Sequence, residues 1–332
     1  MPKVSVIIPA YNGEKFVGRA IKSVLNQTFD DFEIIVVDDC SKDKTREVVE
    51  NFIKRNKKIS LITLSGNSGG PAKPRNEGIK SAKGEYIFFL DEDDIYLPDN
   101  IKRKVDIFES GNDIDVLMSR SWVFDADKKE VVDCVSGLLL NIAVRKGVFD
   151  EVGYFSEAQN STSDAGWFIK YLIFKKSDKK IKEINEPLAV YFRRRGQDSD
   201  ISTTGVDKFI NKMLPLISET EELMEKYSSS YSDYKEVKSI LWWECFRLGD
   251  YYCMSGDRKE GRRFFIKSFA YKPNVSSMMF YIMSFVPGNC YLILQKFFKF
   301  LRNKSVSLLR LPKAVRDFKK SYNGVTGFIN SL

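Results

Sequence analysis

Two short runs rich in β-branched residues open the chain, KVSVIIP at residues 3–9 and FEIIVVD at 32–38. Between them Phe16, Ala20, Ile21, Val24 and Leu25 recur at helical spacing, so the segment reads as strand, amphipathic helix, strand. A crossover helix of this kind joins parallel strands. The helical period returns at 45–54, where Val48, Val49, Phe52 and Ile53 share a face. A strand at 59–64, a Gly-rich loop, a helix over 73–82 and an apolar run at 85–90 follow. This alternation predicts an α/β nucleotide-binding sheet whose ligands gather at the carboxyl ends of its strands.

Polar residues collect at those ends. Pro9, Tyr11 and Asn12 follow the first strand, and Asp38 and Asp39 close the second. The run Tyr86–Leu90 drives into Asp91, Glu92, Asp93 and Asp94. Adjacent acids repel unless positive charge sits among them. Taken alone, the stretch also admits a solvated acidic loop; three polar clusters on one sheet edge favour a shared site.

From about 115 to 200 the pattern is mixed: VLMSRSWVF and GLLLNIAV read as strands and SDAGWFIKYLIF as a helix. Beyond Gly205 the chain reads as helical, which places a domain boundary at 205–215. Residues 239–273 form two helical patterns around a Ser-Gly-Asp turn. They resemble a single tetratricopeptide-type hairpin, a unit that must pack on neighbours.

Composition narrows the chemistry. The 332 residues contain no histidine, which removes imidazole acid/base catalysis, histidine triads and His-ligated zinc. The five cysteines (Cys40, Cys134, Cys245, Cys253 and Cys290) form no CxxC pair, so a reduced, cytoplasmic setting is expected. The opening apolar stretch is too short for a signal peptide, and no apolar run is long enough for a spanning helix. A net charge of +8 points to an anionic partner. Much of the surplus lies between Lys296 and Lys320, where Lys and Arg face only Asp317.

The stretch VSVIIPAYNGEKFVGRAIKSVLNQTFDDFEIIVVDDCSKDKT, followed by GGPAKPRNEGIKSAKGEYIFFLDEDD, resembles the nucleotide-diphospho-sugar transferase domain of family 2 glycosyltransferases. The resemblance covers roughly residues 3–200. It implies a GT-A, Rossmann-like α/β domain with a mixed central sheet at 1–210, followed by a helical region at 211–332. It further implies that Pro9, Tyr11, Asn12 and Glu14 border the nucleoside, that Asp39 accepts from the base, and that Gly70 and Arg75 lie beside the diphosphate. Pro74 stands where the family usually has alanine, and the first helical turn tolerates it.

On the same basis Asp91-Glu92-Asp93 is a DxD motif. Asp91 contacts ribose or metal, Asp93 ligates a divalent Mn²⁺ or Mg²⁺, Asp94 supports, and Glu92 points away as strand alternation would have it. Asp164 matches the catalytic base, although Ser163 replaces the usual glutamate before it, and a plain helix cap also fits Asp164. Arg193, Arg194 and Arg195 are candidates for the diphosphate, or a solvated basic loop.

The implied activity is inverting, metal-dependent transfer from a nucleotide-sugar, a UDP-sugar for preference, to a hydroxyl of a glycan or lipid-linked acceptor in cell-surface polysaccharide biosynthesis. A catalytically inactive nucleotide-sugar-binding or scaffold protein is the alternative. Basic and apolar residues interleaved over about 290–332, with MMFYIMSFV and CYLIL before them, predict peripheral contact with an anionic membrane, or helices packed on the domain. No groove-reading or base-stacking motif accompanies the charge, so nucleic acid is not expected as a partner. Nothing in the pattern sets an oligomeric state.

Overall fold

The structure is a computed structural model; it describes residues 1–111, 113–158, 163–175, 178, 180–194, 206–227 and 234–285. The chain divides into two compact units, Met1–Thr204 with Ser218–Asp233, and Gly205–Ile217 with Tyr234–Leu332.

In the first unit β1 (Val4–Ala10), β2 (Phe32–Asp38), β3 (Ile59–Thr63) and β4 (Tyr86–Phe89) form a parallel set in the order β3-β2-β1-β4. β1 and β4 are buried along their whole length, as apolar strands covered on both faces must be. α1 (Val17–Leu25) turns Val17, Ala20, Ile21 and Val24 into the core, and α2 (Thr45–Ile53) crosses from β2 to β3. Each fully buried aliphatic side chain contributes about 1.5–3 kcal/mol relative to exposure, so the strands and α1 dominate the stability of this half.

α3 (Ala72–Ser81) lies against β1 at Gly78, where a Cβ would come within 2.5 Å of Ile7 Cγ2. That close seat fixes the height at which the first turn of α3 meets the sheet edge.

After β4 come the short β5 (Ile95–Tyr96), α4 (Asn100–Phe108), and a hairpin of β6 (Val116–Asp125) and β7 (Glu130–Ser136). β8 (Ile142–Arg145) is antiparallel to both β4 and β6. α5 (Gly147–Val152) and α6 (Ser163–Lys175) precede β9 (Ile181–Arg193), which runs parallel to β6 and antiparallel to β5. The sheet is mixed, with order β3-β2-β1-β4-β8-β6-β9-β5.

GLLLNIAV, expected as one strand, is a 3-10 turn at Leu139–Asn141 followed by β8. The break comes at buried Asn141, whose backbone N–H closes on Leu138 O at 2.9 Å and whose amide oxygen accepts from Ser121 Oγ.

α7 (Val206–Tyr227) divides between the units. In the second unit α8 (Lys235–Ser255) and α9 (Arg258–Tyr271) are the expected antiparallel pair. Gly256 takes φ 98° at their junction, a conformation glycine adopts without strain, and Asp257 caps α9 by accepting from the Glu260 N–H at 3.1 Å. Gly249 and Gly261 let the two helices approach closely: a Cβ on Gly249 would lie 3.0 Å from Gly261 O, and one on Gly261 would strike Cys253 Sγ.

The neighbour that the hairpin requires is α10 (Val275–Met283), which adds Phe280 and Met283 to a core of Phe246, Cys253 and Phe265. Part of MMFYIMSFV, expected at a membrane surface, is therefore core. The basic tail of about 290–332 lies outside the described residues. Among the described residues no helix is long and apolar enough to cross a membrane.

Candidate active site

The carboxyl ends of β1, β2 and β4 surround a cavity of about 470 Å³. Pro9 and Ala10 end β1 at its floor, and Tyr11, 41% exposed, stands at its edge. Asn12 then takes φ 52°, a left-handed conformation that asparagine tolerates. Asn12 Oδ1 accepts from the Lys42 N–H at 2.9 Å, and Ser41 Oγ accepts from the Asn12 N–H at 3.0 Å. Glu14 follows, accepting from the Lys44 N–H at 3.0 Å. Asn12 and Glu14, expected at the nucleoside, fasten the β1–α1 turn to the segment entering α2 and are not among the residues lining this cavity.

The paired acids at the end of β2 diverge. Asp38 is buried and accepts from Arg46 Nε at 2.7 Å and from the Ser41 N–H. Asp39 lines the cavity and accepts from the Ser68 N–H at 2.8 Å, from Ser68 Oγ at 2.9 Å and from Asn67 Nδ2 at 3.1 Å. Asp39 thereby orders the loop that carries Gly69 and Gly70 along the cavity wall. A carboxylate has about four acceptor sites, so Asp39 keeps capacity for a further donor.

Arg75 enters from the first turn of α3, its backbone N–H bonded to Pro71 O, with Pro74 accommodated beside it. Its side chain is buried and donates from Nη2 to Asp91 Oδ1 at 2.7 Å. Arg75 Nε is buried and meets no acceptor among the described residues. Arg75 lines the cavity, and a largely desolvated guanidinium at a cavity wall is a ready contact for an anionic oxygen.

β4 stops at Phe89, and residues 91–94 form a turn closed by the Asp94 N–H on Asp91 O at 3.1 Å. Strand alternation therefore does not extend to Glu92, which was expected to point away. Glu92 lines the cavity, packs against Gly13 and accepts from the Tyr11 N–H. Burial, then the neighbouring Asp93 and Asp91 charges, push its carboxyl up to about 8. Asp94 is wholly interior and accepts from the Phe192 N–H at 2.9 Å; burial raises its pKa well above the carboxylate range.

The remaining negative charge is matched by protein cations. Arg194 donates to Asp93 Oδ2 at 3.1 Å and lies over the Phe16 ring at 3.8 Å. Arg19, which the sequence reading did not single out, donates to Asp93 O at 2.8 Å and lies over Phe192 at 3.8 Å. Arg193 turns the other way, pairing with Asp125 at 2.9 Å, so it does not join the acidic turn. Arg195 lies outside the described residues.

Asp164 sits in the first turn of α6, with Oδ1 accepting from the Ala165 N–H at 2.8 Å, and does not line this cavity. The segment ahead of it is tied to the site through Asn76, next to Arg75. Asn76 Nδ2 donates to Phe155 O at 3.0 Å and to Glu157 Oε1 at 3.1 Å, and Asn76 Oδ1 accepts from the Phe155 N–H at 3.0 Å.

Asp91 and Asp93 are suited to a hard divalent cation. Among the described residues no group of three carboxylate, thiolate or imidazole side chains could hold one. A two-carboxylate site fits an ion that takes its remaining ligands from water and substrate phosphates, as Mg²⁺ commonly does.

Residues 5–156 match the family model described as Glycosyl transferase family 2. Over 105 residues the chain is 45% identical to the poly(ribitol-phosphate) beta-N-acetylglucosaminyltransferase TarS of Staphylococcus aureus strain Mu50, a stretch that is 31% of this chain and 18% of that relative. The match therefore spans less than a fifth of the relative's length. Among solved structures, the 1–349 fragment of S. aureus TarS in complex with UDP-GlcNAc superposes with a TM-score of 0.55 at 20% identity, covering 85% of this chain and 90% of that one. The mannosyltransferase PcManGT from Pyrobaculum calidifontis in complex with GDP-Man and Mn²⁺ superposes at 0.56 with 12% identity, covering 99% and 85%. At those identities the likeness is one of fold, and the fold is of the GT-A type.

Proposed function

We propose, from the premise that residues 5–156 are a glycosyltransferase family 2 domain, that this protein transfers a sugar with inversion from a UDP-sugar to a hydroxyl of a cell-surface glycan or lipid-linked acceptor. The observation that carries the reading is Arg75, a buried cation in the cavity lining whose guanidinium is held on Asp91. A diphosphate is the anion that such a guanidinium, beside the turn at Gly69 and Gly70, would hold. Tyr11 offers a face to the base and Asp39 an acceptor to its N–H. UDP as the nucleotide is supported by the TarS fragment complexed with UDP-GlcNAc, and the acceptor class by the name of the S. aureus relative.

In this reading Asp91 and Asp93 hold a Mn²⁺ or Mg²⁺ ion, which supplies charge neutralisation for the departing diphosphate. Arg75 orients the β-phosphate. Asp164 takes the proton of the acceptor hydroxyl as its oxygen bonds to the anomeric carbon and the bond to the phosphate oxygen breaks, releasing UDP. We place the protein in the cytoplasm; contact with an anionic membrane is the role proposed for the basic tail. The catalytic domain is proposed to occupy 1–210 and the helical region 211–332.

UDP-GlcNAc turnover to UDP with Mn²⁺, and calorimetric binding of UDP, test this together. Arg75→Ala should weaken UDP binding, and Asp164→Asn should retain UDP binding while turnover falls by about a hundredfold or more. Tight UDP binding with no turnover of UDP-GlcNAc, UDP-Glc or GDP-Man would instead support a binding or scaffold protein, a reading favoured by the position of Asp164 outside the cavity lining.

A further inference from the structure

Another cavity, of about 500 Å³, opens in the first unit between α6 and the part of α7 that follows Ser218, and it shares no lining residue with the cavity at the strand ends. That volume falls within the roughly 300–1,000 Å³ of small-molecule sites. Phe155 and Trp167 are buried members of its lining, and Trp167 is held in place by donating from Nε1 to Gly153 O at 2.8 Å. Tyr154, half-buried beside them, stacks on Phe149 with ring centres 6.3 Å apart. Two cations enter from different helices. Lys170, on α6, is half-buried, its Nζ seated against Gly153, where an added Cβ would lie 2.8 Å from it. Lys226, on α7, lies over the Tyr227 ring at 5.2 Å. Among the described residues neither ammonium forms an ion pair, although Glu219 and Glu222 line the same cavity and Glu222 stands one helical turn from Lys226. The lining therefore carries both signs, which suits a ligand that joins an anionic group to hydroxyls better than a bare anion.

Its position ties it to the reaction from two sides. α6 carries Asp164 in its first turn, and Gly166, Trp167 and Lys170 are the lining residues further along the same helix. At 1.5 Å per residue Lys170 stands about 9 Å along the helix axis from Asp164. On the other side Asn76, adjacent to Arg75 of the nucleotide cavity, holds the backbone N–H and carbonyl of Phe155. We infer that this cleft receives a phosphate-bearing part of the acceptor, beyond the hydroxyl that reacts, with Lys170 and Lys226 on the phosphate oxygens. Ammonium groups are compact donors well suited to phosphate, and a phosphate has oxygens enough to bridge two of them. The carboxylates accept from hydroxyls, and the aromatic carbon offers a face to the C–H bonds of a sugar or polyol. Calling the ligand an acceptor rests on the glycosyl-transfer reading of the neighbouring cavity; its capture by the two lysines does not.

The test follows binding to the full chain by saturation-transfer NMR, with excess UDP present to fill the nucleotide cavity. Sorbitol 6-phosphate represents phosphate on a polyol chain and geranyl diphosphate a lipid-borne diphosphate; sorbitol and glucuronate are the uncharged and carboxylate controls. A phosphate probe should bind, with each control weaker by about tenfold or more, and the tighter of the two probes names the source of the phosphate. Lys170→Gln and Lys226→Gln should each weaken that probe by about three- to tenfold, the worth of a partly exposed charged contact. Lys170→Arg should retain most of the affinity, and Arg75→Ala should leave it unchanged. Thermal melting that matches wild type establishes that each variant is folded. Absence of phosphate-dependent binding, glucuronate binding as tight as the phosphate, or affinity indifferent to both lysines overturns the inference. Loss in Arg75→Ala without loss in Lys170→Gln puts the probe in the nucleotide cavity and overturns it as well. If UDP does not bind while the probe binds through Lys170, the cleft stands and the glycosyl-transfer reading, with its acceptor, falls.

Discussion

Lys104 is the residue whose replacement makes the sharpest demand on the physics of this fold. It projects from α4 into the core, fully buried, with Nζ 5.4 Å from the centre of the Phe88 ring and 5.8 Å from that of Tyr96. Among the described residues Nζ meets no hydrogen-bond acceptor. Burial lowers its pKa from 10.5 to about 7. The unfolded chain keeps this lysine protonated up to about pH 10, so between the two values the unfolded state binds more protons and stability rises with pH. At 1.36 kcal/mol per unit, the residue costs about 4 kcal/mol at pH 7 and about 2 kcal/mol at pH 9. Lys104→Met, similar in length and uncharged, should therefore be more stable than wild type by up to those amounts, with the advantage shrinking as pH rises. Urea unfolding of both proteins at pH 7 and pH 9 measures it, and titration of every other group cancels in the difference. A variant that is less stable at pH 7, or a difference that does not change between the two pH values, would refute the reasoning, most simply by revealing that the amine is solvated.

Three further outcomes are expected. Gly78→Ala should destabilise the first unit by about 1–3 kcal/mol, because its Cβ meets Ile7 Cγ2, and Ile7→Ala, which removes that methyl, should cost less in the Gly78→Ala background than alone, in a double-mutant cycle read by thermal melting. Asn76→Ala strips partners from the buried Phe155 N–H and carbonyl, at a cost of about 1–3 kcal/mol; it should depress UDP-GlcNAc turnover more than UDP affinity, since the residue faces the segment ahead of α6. Gly261→Ala should lower the stability of the helical unit by about 1–3 kcal/mol, with Cys253→Ala relieving the clash, both followed by circular dichroism at 222 nm.

The amino-terminal elements were legible because the local signal and the tertiary environment agree. Strands buried on both faces read as continuous apolar runs, and α1 carries its buried positions at an unbroken helical period. β5, β7 and β9 were not read as strands. β5 is two residues long, β7 is largely exposed, and β9 carries Pro187 where its register against β6 shifts, so none shows a clean alternation. At the site, residue types near strand ends could be read but directions could not. Glu92 was misread because alternation was carried past the end of β4, and the backbone contacts of Asn12 and Glu14 were not foreseen because they depend on a left-handed residue in the turn. Arg19 could not be seen at all: its neighbours on α1 are ordinary for a half-exposed helix, and only the fold brings it to Asp93. Asn76 stood inside a recognised motif, yet its partners are 79 and 81 residues away.

The divergence of Asp38 and Asp39 constrains how such a chain can drift. One acid anchors the segment entering α2 and the next anchors the loop at Asn67 and Ser68, so that segment and one wall of the cavity are hung from one dipeptide. A single-residue slip in β2 would exchange the two side chains between opposite faces, and both segments would lose their anchor at once. Length variation is therefore cheap outside these anchor points and costly within them. Gly66, where an added Cβ would meet nothing within 4 Å, is a place where an inserted residue would be absorbed, whereas the stretch from Asp38 to Ser41 is not.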